Sequence, residues 1–411
     1  MNPAASLSAS RIERDVTALA HLTATPSAGA SRPTFSTAWR QARDYVEREL
    51  LDIGCQVRVD AAGNLHARPA WLAWDAPAWL SGSHLDTVPH GGNYDGVAGV
   101  LAPLEILRAA NESGRRDTPL ELVAFAEEEG TTFGLGMLGS RAWVGQLSAD
   151  RLTTLRNADG VDYLTAGRPH GIDVEHLATD RLRPDAYLGF VEIHIEQGPG
   201  LWNAGRSVAV VRAIAGRRQY SCSVTGVANH AGSTSMTDRR DALAGAAEVV
   251  TRLESLAGEI SPQAVITVGR IACRPNAVNV IPEAVELTID FRAPDDGQLA
   301  AGDPSIRELI GAIAARRRLT HSLTPTEHQP VVSLDAKLCQ RLVAAADALG
   351  VGPLPTTVSG ALHDSAIVAP YVPTAMLFVA SRGGISHHPD EFSRVEDIAT
   401  AARILWHAIQ A

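Results

Sequence analysis

Residues 78–130 read AWLSGSHLDTVPHGGNYDGVAGVLAPLEILRAANESGRRDTPLELVAFAEEEG. The opening AWLSGSH reads as a strand, the apolar spacing over 97–110 is helical, and LELVAFA is an apolar run, but for Glu121, closed by three glutamates. A run that is apolar without alternation has no face to give to water. Helix followed by buried strand therefore indicates an α/β sheet covered on both faces. The carboxyl ends of such strands usually carry the catalytic groups. Here His84, Asp86 and Asp95 follow the first strand, and Glu127, Glu128 and Glu129 follow the second.

Upstream, helical spacing covers 11–22 and 37–51, and CQVRVDAAGNLHARP (55–69) alternates as strand, Gly63-Asn64 turn and strand. Trp71, Trp74 and Trp79 are expected to pack under that hairpin rather than to form a stacking platform. Downstream, YLGFVEIHIEQGPG (187–200) is another apolar strand with a polar end. Around Arg212 the texture changes. QYSCSVTGVANHAG, AVITVGRIACRP and AVELTIDFRAP read as strands, with helices over 238–257 and 305–318, which together make an α+β unit. The Pro-bearing stretch 325–330 reads as the linker back to an α/β pattern in which AMLFVAS is a buried strand and 395–410 a closing helix. The expectation is a discontinuous larger domain, 1–211 and 328–411, with a smaller one, 212–327, inserted into it.

The 411 residues suffice for two or three domains of roughly 150 residues. With 45% apolar and 20% charged residues the composition is that of an ordinary globular protein. A formal charge of -10, both signs interspersed, leaves no basic surface and argues against nucleic acid or an anionic membrane as partner. Cys55, Cys222, Cys273 and Cys339 form no C-x-x-C pair, so neither a zinc knuckle nor a disulfide framework is expected. MNPAASLSASRIERD lacks the apolar core of a signal peptide, and no stretch offers about 18 uninterrupted apolar residues. A cytoplasmic location is the expectation.

Four strand ends carry potential ligands: His84 with Asp86 and Asp95; Glu127 to Glu129; His194 with Glu196; and GGISHHPDE with His387 and His388. Strand residues two apart face one side, so His84 and Asp86 point together. A carboxylate beside a ligating imidazole fixes its tautomer and increases its basicity. Nitrogen and oxygen donors without sulfur suit zinc, manganese, cobalt or nickel, and acidic bridging groups favour a two-metal site. Singly, each piece has a plainer reading as a surface pair, a solvated glutamate run or a satisfied core histidine. Their joint occurrence favours the metal.

GSHLDTVPHGGNYDGVAGV, EEEGTTFGLGMLGSR, HIEQGP, NHAGSTSM, PNAVNVIP, LTIDFR and GGISHHPDE stand in the order found in the hydantoinase/carbamoylase branch of the M20 metallopeptidase-like amidohydrolases. The chain resembles that branch from about residue 10 to 410. The resemblance implies a larger catalytic domain with a central mixed sheet flanked by helices, and an inserted lid and dimerisation domain. It implies two divalent metal ions, zinc by default and manganese, cobalt or nickel as alternatives, with His84 and His194 on one, Glu129 and His387 on the other, and Asp95 bridging. Glu128 would be the general base toward the attacking water, and Asp86 the orienting neighbour of His84. From the smaller domain, His230 would stabilise the oxyanion, reaching across a homodimer, while Asn279 and Arg292 would grip the substrate carboxylate; Gln197 would be a further substrate contact. A planar guanidinium is a natural bidentate receptor for a carboxylate. The plainer readings are a salt bridge to Asp290 for Arg292 and a simple loop residue for His230. With grip and metals on different domains, closure on the substrate is expected. Glu127 is expected to be solvated or to support a ligand, and His90 to be a loop residue.

The chain departs from the branch's usual pattern at Thr132 (commonly arginine), Trp202 (glutamate), Ser235 (proline), Leu362 (glycine) and Ala366 (glutamine). None is an implied ligand or the base. Losing a cation and a glutamine while gaining Trp and Leu suggests a more apolar pocket than a ureido acid such as allantoate would want. The expected substrate is thus an N-carbamoyl L-amino acid, or another small carboxylate-bearing amide, hydrolysed with release of ammonia and carbon dioxide. An allantoate or ureidoglycolate hydrolase and an aminoacylase or dipeptidase are rivals on the same scaffold. A metal-free carboxylate-binding protein is a remoter one, since a binder has no use for Glu128.

Overall fold

The computed structural model describes residues 7–410, which fall into two compact units: residues 7–212, 333–357 and 362–410 form the larger, Ala213–Val332 and Val358–Ala361 the smaller. In chain order the strands are β1 (Cys55–Val59), β2 (Leu65–Pro69), β3 (Ala78–His84), β4 (Leu120–Phe125), β5 (Tyr187–Ile195), β6 (Val208–Ile214), β7 (Gly216–Thr225), β8 (Val265–Arg274), β9 (Ala284–Ala293), β10 (Thr320–Gln329), β11 (Val332–Ser333), β12 (Thr356–Ser359) and β13 (Thr374–Val379).

The larger unit is built on a sheet in the order β1-β2-β4-β3-β5-β13-β6-β11, with β12 paired to β6. Its centre, β4-β3-β5-β13, is parallel. The flanking pairs β1/β2, β2/β4 and β13/β6 are antiparallel, so the sheet is mixed. All residues of β3, β4 and β13 are buried, as a two-sided sheet requires. The helix Val97–Glu112 returns from β3 to β4 and is buried almost all round between the sheet and the helices Ala9–Ala20 and Val395–Gln410. Register aligns His84 with Phe125 and His194 with Phe378. The carboxyl ends of four parallel neighbours therefore lie side by side. Each leads into one of the four polar segments singled out in the sequence.

The smaller unit is a four-stranded antiparallel sheet, β10-β7-β9-β8, with the helices Ala242–Ile260 and Asp296–Arg316 on one face. Tyr220, Val249, Leu287, Phe291, Ile306 and Ile310 form its core. Two expectations are corrected here. The second helix begins well before residue 305: the Asp295 side chain accepts the Gln298 N–H as its N-cap, and Pro304 is carried inside the helix instead of starting it. The stretch 325–330 is largely strand, not linker. Pro325 is tolerated because β10 is an edge strand and its register shifts between Pro325 and Glu327.

Among the described residues the cysteines are free, and no helix is long and apolar enough to cross a membrane.

Candidate metal centre

Asp95 sits where the ends of β3, β5 and β13 converge. Its Oδ1 lies 3.3 Å from Nε2 of His84 and 3.3 Å from Nε2 of His194, and its Oδ2 lies 3.5 Å from Nε2 of His387. His387 Nε2 is in turn 3.6 Å from Glu129 Oε2. Asp95 thus belongs to two groups of potential ligands whose atoms lie within 4.8 Å of one another, one with His84 and His194 and the other with Glu129 and His387. A third group joins His84 to Glu128 and Glu129, with Glu128 Oε2 3.7 Å from His84 Nε2.

Local chemistry explains how the chain delivers these groups. His84 ends β3, and Asp95 is returned over it by a turn that closes at Gly96 (φ 66), the N-cap of the following helix. A Cβ at residue 96 would lie 2.5 Å from the His84 ring, so only glycine lets the turn pass. The free Nδ1 of each buried histidine donates to a backbone carbonyl, His84 to Asp86 at 2.9 Å and His194 to Ile195 at 3.0 Å. Each ring is thereby held in the tautomer that presents Nε2 as a donor atom to the centre.

Asp86 acts on different atoms from those its spacing suggested. Its carboxylate stays 3.8 Å from His84 Nδ1 and instead accepts the backbone N–H of Glu128 at 3.3 Å and of Glu129 at 3.1 Å. It fastens the glutamate turn, while its carbonyl orients His84. Glu127 is buried, not solvated. Its φ of 55 breaks the strand alternation, and its Oε1 accepts the N–H groups of Thr132 and Phe133 at 2.8 and 2.7 Å. Thr132, one of the departures, also accepts the Thr34 N–H.

The residues present suit a cation. Asp95, Glu128 and Glu129 gather in a buried region, and Glu129 Oε1 has no hydrogen-bond partner. Carboxylates packed this way are costly without a compensating positive charge. Burial, aided by the charge of Asp95, pushes Glu129 up to about 7, and burial holds Glu128 well above the usual carboxylate range. Burial works against protonated His84, yet Glu128, Asp95 and Asp86 outweigh it and hold the imidazole well above its ordinary value. Nitrogen and oxygen donors of this kind match zinc or a neighbouring divalent transition metal.

Gln197 lies on the centre itself: its Nε2 donates to Asp95 Oδ2 at 2.7 Å, while its buried Oε1 is unpartnered. His90 is a loop residue whose Nδ1 meets the Ala28 carbonyl. The smaller unit carries the other three. His230 is exposed, and its Nδ1 accepts the N–H groups of Gly232 and Ser233 at 3.0 and 3.1 Å, so the neutral ring carries its proton on Nε2. Asn279 is exposed, its carbonyl accepting the Ala231 N–H. Arg292 donates to Asp290 at 2.8 and 3.4 Å and to the Gly360 carbonyl at 2.7 Å, which leaves two of the five guanidinium N–H groups uncommitted.

Four residues near the larger unit's centre went unremarked in the sequence. The ring of buried His363 lies 4.4 Å from that of His194. Glu192, one residue pair back along β5, accepts the Ser83 and Ser365 hydroxyls at 2.8 and 2.6 Å. A glutamate inside an otherwise apolar strand was the signal available for it. Ser386 donates to Asp95 Oδ2 at 2.9 Å, and Glu391 accepts the N–H groups of Tyr94 and Asp95.

The family model for peptidase family M20/M25/M40 matches residues 80–411. An N-carbamoyl-L-amino acid amidohydrolase of Geobacillus stearothermophilus is 38% identical over 93% of each chain. The allantoate amidohydrolase of Bacillus subtilis is 33% identical over 94% of this chain and 93% of its own. The crystal structure of a hydantoinase/carbamoylase family amidase from Burkholderia multivorans superposes with a TM-score of 0.90 at 34% identity, covering 99% of this chain and 98% of that one. The family implies use of a divalent metal, and the ligand groups around Asp95 are where this chain has the donors for it. The chain belongs to the M20/M25/M40 family, within its hydantoinase/carbamoylase branch of hydrolases acting on non-peptide amide bonds.

Proposed function

We propose that this chain is a two-metal hydrolase that removes the carbamoyl group from an N-carbamoyl-L-amino acid with an apolar side chain. The observation that carries the reading is the position of Asp95, one oxygen toward His84 and His194 and the other toward His387 and Glu129. These five residues would hold the ions, zinc by default. When bound, the ions polarise the carbamoyl carbonyl and acidify the attacking water, which a poor electrophile requires at neutral pH.

The other roles fall to side chains. Glu128 takes the proton of the attacking water and returns it to the departing nitrogen. His230, protonated on Nε2, donates to the oxygen that gains charge at the tetrahedral carbon. The two spare N–H groups of Arg292, with Asn279, bind the carboxylate. Gln197, held on Asp95, faces the same oxygen as Ser386 and steadies the bridging carboxylate rather than the substrate alone. Addition of water to R–NH–CO–NH2 then yields the amino acid, ammonia and carbon dioxide.

The apolar side chain is argued from the larger unit. A cavity of about 450 Å³ is lined on one side by Pro33, Phe35, Pro89 and Phe133, the last of these just after the glutamate turn in sequence. Asn157 and Asp159 add a polar side to the same cavity. The smaller unit supports a homodimer: its edge strand β8 leaves Val265 and Ile271 each 51% exposed, an apolar edge that a second copy would cover.

The test is ammonia release by zinc- and manganese-loaded protein from N-carbamoyl-Leu, N-carbamoyl-Phe and N-carbamoyl-Asp, allantoate and ureidoglycolate. The apolar carbamoyl amino acids should give the highest kcat/KM. Preference for allantoate would move the chain to the ureido-acid side of its branch. Turnover of dipeptides without ammonia would overturn the carbamoylase reading.

A further inference from the structure

We propose that Glu391 is a positioning residue that latches the His387 loop onto the Asp95 turn and so sets how tightly Asp95, Glu129 and His387 hold their cation. The inference rests on the metal-centre reading above.

The need for a latch follows from the backbone. His387 lies in the segment between β13 and the closing helix, where no ladder of sheet bonds fixes it, and its side chain is 46% exposed against 1% for His84 and 2% for His194. Gly383, Gly384 and His387 all have positive φ, at 63, 71 and 56. A ligand on such a path keeps its place only if something outside the loop holds it.

Glu391 supplies the hold. It is 4% exposed, and the Glu391 N–H bond to the His388 carbonyl turns the chain so that its side chain points back under the loop. Oε1 accepts the Tyr94 N–H at 2.9 Å and the Asp95 N–H at 3.0 Å, and Oε2 lies 3.2 Å from Ser386 Oγ. The same hydroxyl lies 2.9 Å from Asp95 Oδ2. One carboxylate therefore touches the backbone on which Asp95 stands and the residue next to His387. Gly92 makes the room: a Cβ there would fall 2.1 Å from the carboxyl group of Glu391. The neighbouring Phe392 reinforces the docking, edge-on to Tyr94 at 5.7 Å and covered by Arg382 at 4.6 Å. Outer partners of this kind typically govern metal affinity by about 10- to 100-fold.

Two substitutions attack the latch from opposite sides, Glu391→Ala by removing the carboxylate and Gly92→Ala by displacing it. Metal-free protein is titrated with Zn2+ by calorimetry, and ions per chain are counted by atomic absorption after gel filtration. Wild type should bind one ion tightly and a second more weakly. Both variants should keep the first and weaken the second by about 10- to 100-fold. Glu391→Gln, whose amide oxygen still accepts the two N–H groups, should largely restore it. Unchanged affinities in both Glu391→Ala and Gly92→Ala overturn the latch, as does equal loss of both ions, which would make Glu391 a support of the whole fold. If Glu391→Ala does not fold, Gly92→Ala decides alone. Wild type that binds no ion overturns the metal-centre reading first, and the latch with it.

Discussion

The two halves of the candidate metal centre are built in different ways. His84 and His194 are the last or next-to-last residues of adjacent parallel strands, nearly inaccessible, each with its remote nitrogen bonded to a nearby carbonyl. Their positions are set by the same backbone ladder that holds the core. Glu129 and His387 stand on turns, and what fixes them is a pair of buried carboxylates: Asp86, holding the Glu128 and Glu129 N–H groups, and Glu391, holding Asp95 and Ser386. Sheet-borne ligands come already placed, whereas turn-borne ligands are placed by side chains that can be removed singly. The contrast predicts unequal affinities.

The largest effect should come from a residue that neither half needs for structure. Glu128→Gln keeps the shape of the turn but removes the base, so kcat should fall by about 10²- to 10⁴-fold or more while both ions stay bound. Near-normal turnover would take Glu128 out of the chemistry. Loss of an ion would instead make it a ligand, as its 3.7 Å approach to His84 permits, and would erase the division between base and ligands.

The comparison itself is put at risk by paired alanine variants. His194→Ala should lose the tight ion and, with it, most of the metal-induced rise in Tm; His387→Ala should lose only the weaker ion and keep most of that rise. Metal content and thermal unfolding of the two proteins, with and without added Zn2+, decide it. If His387→Ala is emptied as fully as His194→Ala, the halves are equivalent and the argument from exposure fails.

The strand-borne half was legible in the sequence because its evidence is local. A buried run that ends in His or Glu announces both the strand and the group at its end, and four such ends sufficed to expect the sheet and its polar edge. Glu391, Ser386 and His363 were not legible in that way, since their contacts reach to residues some 170 to 300 positions away along the chain. Asp86 and Glu127 show a subtler limit. Spacing by two correctly brings Asp86 near His84, but which atoms bond depends on the turn at Glu127, whose positive φ no alternation rule foresees. In the smaller unit, Pro325 misled for a simple reason. A proline is a breaker only where its missing N–H is needed, and an edge strand can spare one.

The smallest predicted effect tests whether the backbone ladder alone places the strand-borne ligands. β2 pairs with β4, which leads into the glutamate turn, and His66 on β2 is fully buried between Glu121, 2.7 Å from Nδ1, and Asp60, 3.1 Å from Nε2. Burial pushes the imidazole down, but hydrogen bonds to Asp60 and Glu121 outweigh it and hold its pKa above the usual 6.5. Folding therefore takes up a proton here. The stabilisation is complete below about pH 6.5 and is lost as pH rises through the raised folded value. His66→Gln should cost about 1–3 kcal/mol at pH 6, measured by urea unfolding, and the deficit should shrink toward pH 9. Metal content should be unchanged, because the strand ends remain paired. A deficit that is the same at both pH values would mean that His66 is neutral in the fold, and loss of metal would mean that the ladder alone does not place the strand-borne ligands.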